Sequence, residues 1–226
     1  DRFDLFEWGA RTGDFATVNL PPLSSDLYWD MNAFSTAGDI AVASTVSDRI
    51  WDGGGSGNQW ETADNWRENE VPTSAQDVHI SDGSSVFLGS GVYAESLTLA
   101  VAEYAGQSGD FTITGGALAV TDFFVVGGDG IGASTIENGS VTVGNGVGVG
   151  NGSTLTMNGG SFRTDTLFVD GDGTFDLTGG DLFLKEFVGD LTVSGGTLHP
   201  GSSPGILQVD GDYVQEAAAN LVIEIG

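Results

Sequence analysis

Aspartates at glycine turns are the residues of this chain best suited to hold a metal ion. Asp170 and Asp172 flank one glycine, and Asp210 and Asp212 flank another. Hard cations such as Ca²⁺ need several oxygen ligands, which carboxylates at stacked turns can supply. Asp-Gly is equally a common tight-turn pair, and the nonapeptide period of calcium-binding β-rolls is not kept. The favoured interpretation is that these aspartates form plain turns. If the chain binds Ca²⁺, the four aspartates are its candidate ligands. We predict that no cofactor is required.

Three tryptophans in one short segment, Trp51, Trp60 and Trp66, are candidates for recognising a sugar. Aromatic faces recognise ligands when they are exposed in a concave site. Tryptophans beside the first strands of a repeat also cover the open end of its hydrophobic core. The second interpretation is favoured, and the three residues remain candidate ligand-binding residues.

Residues that could perform catalysis are few. His79 and His199 are the only histidines, and neither adjoins a recognisable nucleophile motif. A glycosidase pair cannot be located among 32 acidic residues. Lyases that act on polyanionic sugars use basic residues in their groove, whereas this chain has only six lysines and arginines. We therefore expect that the protein is not an enzyme.

Acidic residues outnumber basic ones by 32 to 6, which gives a formal net charge of −26. A nucleic-acid-binding protein needs a basic surface, and anionic membrane surfaces repel such a chain. We expect no nucleic-acid partner and no membrane insertion, since no apolar stretch reaches transmembrane length. The chain has no cysteine, which excludes disulfides and thiolate metal sites.

A short phrase of turn residues followed by alternating apolar residues recurs five times. Its second glycine falls at positions 116, 139, 160, 180 and 196, so the steps are 23, 21, 20 and 16 residues. A turn and a strand repeated at about 20 residues indicate a β-solenoid. Leu155-Thr-Met157 and Leu191-Thr-Val193 alternate apolar and polar residues, which places one face of each strand inward.

The sequence therefore predicts an all-β protein. We expect a right-handed parallel β-helix, a β-solenoid, over residues 48–226. Residues 1–47 are expected to form an N-terminal β segment whose strands either close the module or join two subunits. Coils stacked about 4.8 Å apart would bury continuous inward rows of apolar residues.

Several motifs resemble those of autotransporter-type passenger β-helices. They are Trp51-Asp-Gly-Gly-Gly, Trp60, Asp64-Asn-Trp66, Val71-Pro72, and the segment from Pro200-Gly-Ser-Ser-Pro-Gly to Val214. The chain is especially similar to large secreted bacterial surface proteins, many of which end in a PEP-CTERM sorting tail. The resemblance covers nearly the whole chain and implies an extracellular location at the bacterial cell surface. It is not specific for any activity.

The order of two motifs differs from that family. The phrase formed by residues 13–23, 27–30 and 38–42 ordinarily closes a β-helical module there, but here it opens the chain. Residues 221–225, which there lead into more strands, are where this chain stops. The resemblance therefore implies one period of a longer polymer, or a subunit whose ends complete each other.

Apolar, β-prone segments lie near both ends of the chain. Their members are Phe3, Leu5 and Phe6 at one end and Leu221, Ile223 and Ile225 at the other. Bare solenoid ends present unpaired strand edges, which natural solenoids cover with caps. Two unlike edges favour head-to-tail contacts between copies, and such contacts generate filaments when the assembly does not close into a ring. Closure by residues 1–47 of the same chain and an arbitrary cut are the alternatives.

We therefore expect an extracellular structural protein whose copies assemble head to tail into a cell-surface or matrix filament, with the solenoid continuing between subunits. Its partner is then a second copy of itself. The alternative is a monomeric adhesin or carbohydrate-binding passenger domain, whose partner is a surface polysaccharide.

Overall fold

The computed structural model describes residues 2–6, 12–13, 15, 17–23, 27–31, 34, 38–44, 48–201 and 205–223. The chain divides into two compact units, Asp1–Asp48 and Arg49–Gly226. Within the described ranges, no helix is long and apolar enough to cross a membrane.

The first unit contains a small antiparallel sheet of three strands. They are β1 (Arg2–Asp4), β2 (Leu27–Asp30) and β3 (Asp39–Ser44), and their order is β1-β3-β2. β1 and β2 therefore form its two edges. Aromatic rings supply much of the packing, with the ring centroids of Phe15 and Phe34 5.2 Å apart.

The second unit is built from three sheets of stacked strands. The first sheet contains β4 (Asp48–Ile50), β5 (Asp77–Ile80), β8 (Thr98–Val101), β11 (Phe123–Val126), β14 (Gly146–Val149), β17 (Thr166–Val169), β20 (Glu186–Val188) and β23 (Gln208–Asp210). The second contains β6 (Asp82–Leu88), β9 (Ser108–Ile113), β12 (Ile131–Ile136), β15 (Thr154–Met157), β18 (Thr174–Leu177), β21 (Leu191–Val193) and β24 (Tyr213–Gln215). The third contains β7 (Tyr93–Ser96), β10 (Ala117–Val120), β13 (Ser140–Val143), β16 (Ser161–Arg163), β19 (Asp181–Leu184), β22 (Thr197–Pro200) and β25 (Asn220–Leu221).

From β5 onward the chain visits the three sheets in turn, and each strand pairs in parallel with the strand three places later. It makes about six turns in this way. The predicted all-β fold, with its stacked parallel coils and an N-terminal β segment, is confirmed.

Inward rows of apolar residues form the core of the solenoid. The row contributed by the first sheet is buried from β5 to β20, and its next member, Val209 on β23, is partly buried. The buried members are Val78, Leu99, Phe124, Val147, Leu167 and Phe187. The predicted alternation is confirmed on the second sheet, where Leu155 and Met157 are fully buried and Thr156 between them is not. The apolar residues of the repeats therefore hold adjacent coils together.

The second glycine of each repeat occupies the turn between the second and third sheets. All five have positive φ, between 71° and 90°: Gly116, Gly139, Gly160, Gly180 and Gly196. Glycine adopts this conformation without the strain that a side chain brings. The turns also stack closely, since a Cβ on Gly160 would lie 2.6 Å from the carbonyl oxygen of Gly139. The same oxygen accepts a hydrogen bond from the N–H of Ser161 at 2.9 Å.

Acidic residues on the solenoid strands lie beside neutral residues of the neighbouring strands. The register pairs Asp77 with Thr98, Asp82 with Ser108, Glu95 with Ala119, Asp110 with Ser85 and Ala133, Asp176 with Thr156, Asp181 with Ser161 and Thr197, and Glu186 with Thr166 and Gln208. Like charges directly opposite each other destabilise a sheet. The described strands β5–β25 contain no such acidic pair.

Candidate functional site

The candidate calcium ligands lie in turns between the first and second sheets. Asp170 and Asp172 follow β17, Asp210 is the last residue of β23 and Asp212 follows it, and the turn after β20 lies between the two pairs. All four residues are exposed. Of the residues that the structure describes, no three His, Cys, Asp or Glu side chains form a group able to hold a metal ion. The four aspartates are not gathered into one site, and calcium binding by them stays a prediction.

Side chains at this corner bind the backbone of the next turn. Asn151 Oδ1 accepts a hydrogen bond from the N–H of Asp172 at 2.8 Å. Asp190 Oδ1 accepts one from the N–H of Asp212, also at 2.8 Å. Bonds of this kind satisfy N–H groups that a turn leaves without a backbone partner. The geometry supports the interpretation of these residues as plain turns.

The three candidate sugar-binding tryptophans are enclosed in the core. Trp51 is 1% exposed, and Trp60 and Trp66 are 0% exposed. Trp66 packs edge-on against the other two, with ring centroids 5.1 Å from Trp51 and 4.9 Å from Trp60. Trp60 also lies 5.4 Å from the ring of Phe111 in the next coil. A sugar has no exposed ring face on which to stack, so the structure favours the capping interpretation of these residues.

Asn65 organises the glycine-rich loop beside these tryptophans, and the sequence did not single it out for this role. Its side chain is fully buried. Its Nδ2 group donates to the carbonyl oxygens of Gly57 at 2.9 Å and Gln59 at 3.2 Å, and its Oδ1 accepts from the N–H of Gly55 at 3.0 Å. The only hint in the sequence is the position of Asn65 beside Trp66, shortly after the glycine-rich segment.

Replacing Asn65 by aspartate is expected to lower the free energy of unfolding by about 2–3 kcal/mol. The carboxylate keeps the size of the amide but cannot donate to the two carbonyl oxygens, and it places a negative charge at a fully buried position beside them. Urea unfolding followed by circular dichroism measures the loss. The matched control is Asn58→Asp, at an exposed position of the same loop, for which we expect a change below about 0.5 kcal/mol. Equal effects of the two variants contradict the assigned role.

The two histidines are each paired with a carboxylate. His79 Nδ1 lies 3.3 Å from Glu103 Oε2, and the hydrogen bond with His79 holds the pKa of Glu103 below its ordinary value. His199 Nε2 lies 3.1 Å from Asp181 Oδ1. His79 is on the first sheet and His199 on the third. The structure does not bring the histidines together, and the absence of catalytic activity stays a prediction.

A stack of outward-facing side chains, partly exposed to solvent, runs across the third sheet. The guanidinium carbon of Arg163 lies 4.1 Å from the ring centroid of Phe183. The Phe183 and His199 rings are nearly parallel, with centroids 4.2 Å apart. These three residues occupy the same place in successive repeats, three residues after the second glycine, so their alignment was available from the sequence. Neighbouring side chains cover both faces of the Phe183 ring.

The strands β23, β24 and β25 form the outer edges of the three sheets at one end of the solenoid. Among the described residues, no strand pairs with their outer sides. Exposed apolar residues accompany these edges: Ile206 (84%), Tyr213 (42%), Val214 (50%), Leu221 (41%), Val222 (38%) and Ile223 (70%). Unpaired strand edges of this kind are ready templates for pairing with another strand.

Five of the six predicted assembly residues are described and exposed. Their exposed fractions are 41% for Phe3, 47% for Leu5, 42% for Phe6, 41% for Leu221 and 70% for Ile223. Ile225 lies outside the described residues. Phe3 belongs to an edge strand of the first unit and Leu221 to an edge strand of the second. That the two sets pair between copies stays a prediction.

Comparisons with known protein families, curated proteins and solved structures found no match to this chain. The resemblance to autotransporter-type passengers stays a prediction, because only the sequence motifs support it.

Proposed function

We propose that this protein is an extracellular structural protein whose copies assemble head to tail into a filament at a bacterial cell surface or in a matrix. In this assembly the β-solenoid of one copy is continued by strands of the next, so that the hydrophobic core extends across the junction. Head-to-tail contacts that do not close into a ring build open filaments.

The observation that carries this proposal is the set of three neighbouring open edges at β23, β24 and β25. An incoming coil can pair with all three, as each coil of the solenoid does with the one before it. The apolar side chains at these edges are then buried away from water. Burying one side chain of the size of Ile223, 70% exposed, contributes about 1.5–3 kcal/mol.

The N-terminal unit offers a strand suited to this edge. β1 is itself an edge strand, and Phe3, Leu5 and Phe6 are exposed by 41–47%. When an extended strand adds to a sheet edge, main-chain hydrogen bonds supply affinity and the side chains supply specificity. Contacts that involve several of these residues are needed to offset the entropy lost on association.

The acidic surface supports an extracellular role. A formal net charge of −26 keeps a protein soluble and disfavours side-by-side contact between equally charged copies. End-to-end growth is therefore favoured over lateral clumping, and divalent cations are suited to bridging neighbouring filaments.

Placing a charge on the open edge is expected to block assembly. We expect the wild-type protein to sediment as a concentration-dependent polymer, and Ile223→Lys to raise the concentration needed for assembly at least tenfold. Ile131→Lys is the matched control, since Ile131 is 64% exposed but belongs to β12, away from the edge strands. Analytical ultracentrifugation and electron microscopy provide the measurements. A wild-type protein that stays monomeric at every concentration contradicts the proposal, as does assembly of Ile223→Lys at wild-type concentrations.

A further inference from the structure

The outward face of the first sheet contains one strand that carries no outward side chain. On β14 the outward positions are Gly146 and Gly148, whereas Val147 and Val149 face the core. The register places Gly146 beside Phe123, and Gly148 between Val125 on β11 and Phe168 on β17. The two glycines therefore leave a strip of bare backbone between side chains of the adjacent strands.

The two glycine positions differ in how they are covered. The Phe123 ring lies over Gly146, with its Cε1 atom 3.6 Å from where a Cβ would stand. At Gly148 no atom lies within 4 Å of that point. We call the space over Gly148, bounded by Val125 and Phe168 and closed on one side by Phe123, the Gly148 notch. Neighbouring strands are about 4.8 Å apart, so the backbones of the two strands that carry its walls are about 10 Å apart, which leaves room for one six-membered ring between the side chains.

The walls of the notch present apolar surface to solvent. Phe123 is 50% exposed and Phe168 is 44% exposed. This differs from Phe183 on the third sheet, whose ring faces are covered by Arg163 and His199. An aromatic side chain beside an empty space can receive the apolar face of a ligand.

An oxygen acceptor lies on β20, the strand next to that of Phe168. Glu186 is paired with Thr166, which is paired with Gly146, and Glu186 Oε2 accepts a hydrogen bond from Thr166 Oγ1 at 3.2 Å. The carboxylate has further lone pairs that can accept a hydrogen bond from a hydroxyl group. Neither Lys nor Arg occurs on β8, β11, β14, β17 or β20. The nearby Lys185, which precedes β20, is paired with Asp165 at 2.6 Å, so the surroundings of the notch disfavour a phosphate, sulfate or uronic acid.

We propose that the Gly148 notch binds one ring of a neutral polysaccharide. A pyranose combines an apolar C–H face, which suits Phe168, with hydroxyl groups at its edge, which suit the Glu186 carboxylate on the adjacent strand. The charge of −26 disfavours an anionic glycan, and it disfavours a second copy of this chain on the same face. This binding site does not depend on head-to-tail assembly, and filaments would display it at regular intervals.

Filling the notch tests the proposal. Gly148 lies within a strand and is not among the residues of positive φ, so Gly148→Val adds a side chain to open space without backbone strain. Ala119→Val is the matched control, because it adds a comparable outward side chain on the third sheet. Circular dichroism and the melting temperature report whether each variant keeps the fold. Phe168→Ala, which removes a wall instead of filling the space, serves as the second variant.

The probes are gluco-, xylo-, manno-, galacto- and N-acetylglucosamine hexasaccharides, with a polyuronic acid for comparison, titrated by isothermal calorimetry. We expect the wild type and Ala119→Val to bind at least one neutral series, and Gly148→Val and Phe168→Ala to bind it at least tenfold more weakly. Absence of binding to every neutral series overturns the proposal. So does binding of the polyuronic acid alone, or wild-type binding by Gly148→Val. If Gly148→Val changes self-association and leaves glycan binding intact, the face belongs to a protein contact instead.

Discussion

Replacing Gly160 by alanine is expected to lower the free energy of unfolding by about 3 kcal/mol, which is a large effect for the addition of one methyl group. Gly160 has φ of 72°, a conformation that costs an L-residue about 1–2 kcal/mol. The new Cβ would also stand 2.6 Å from the Gly139 carbonyl oxygen and 2.9 Å from the Asn138 carbonyl carbon. Both are backbone atoms, so the two coils must separate. The hydrogen bond from Ser161 to Gly139 then weakens, at a further cost of about 1 kcal/mol.

Gly152→Ala isolates the backbone contribution to this effect. Gly152 has nearly the same φ, 73°, but no atom lies within 4 Å of its Cβ position. We expect a loss of about 1–2 kcal/mol from conformation alone. Urea unfolding of both variants, followed by circular dichroism, measures the difference. Similar losses for Gly152→Ala and Gly160→Ala would show that close stacking of the turns adds nothing to stability.

Trp60→Ala is expected to cost about 3–5 kcal/mol, the range for truncating a fully buried aromatic residue. The Trp60 ring has no exposure and contacts Trp66 and Phe111, so its removal leaves a cavity at the first-coil end of the core. Contacts in a solenoid connect mainly neighbouring coils. Hydrogen exchange should therefore accelerate most in β5–β9 and least in β17–β19.

Trp60→Phe is the control for this variant, because it keeps an aromatic ring in the site and should cost clearly less. The sugar-binding interpretation of the tryptophans makes the opposite forecast, namely loss of glycan binding with stability unchanged. A destabilisation below about 1 kcal/mol by Trp60→Ala would contradict the capping role.

The architecture was predictable because its signals are local and repeated. Glycine at position 160 and at its four equivalents reports a turn of positive φ, and the alternation in Leu155-Thr-Met157 reports which face of the strand is buried. Both signals depend on a few adjacent residues. Repetition made them readable, since five copies of one phrase are less ambiguous than one.

The candidate sites were harder to predict because they depend on register and orientation. The same tryptophans can cover a core or face a ligand, and the choice depends on their burial and on packing against one another and against Phe111. Asn65 gains its role from partners six to ten residues away. The Gly148 notch arises only once β14 is aligned with β11 and β17. The aspartate pairs Asp170–Asp172 and Asp210–Asp212 show the opposite case. Their spacing in the sequence suggests a shared metal site, but in the solenoid another turn lies between the two pairs.

The neutral neighbours of the acidic strand residues keep carboxylates out of directly opposed positions on the three sheets. Adjacent strands are about 4.8 Å apart, a distance at which two facing carboxylates repel each other. Carboxylates on strands that are not adjacent are at least about 10 Å apart, which is close to the Debye length at about 0.1 M ionic strength. Mobile ions at that ionic strength weaken the repulsion between them, so the sheets tolerate a net charge of −26.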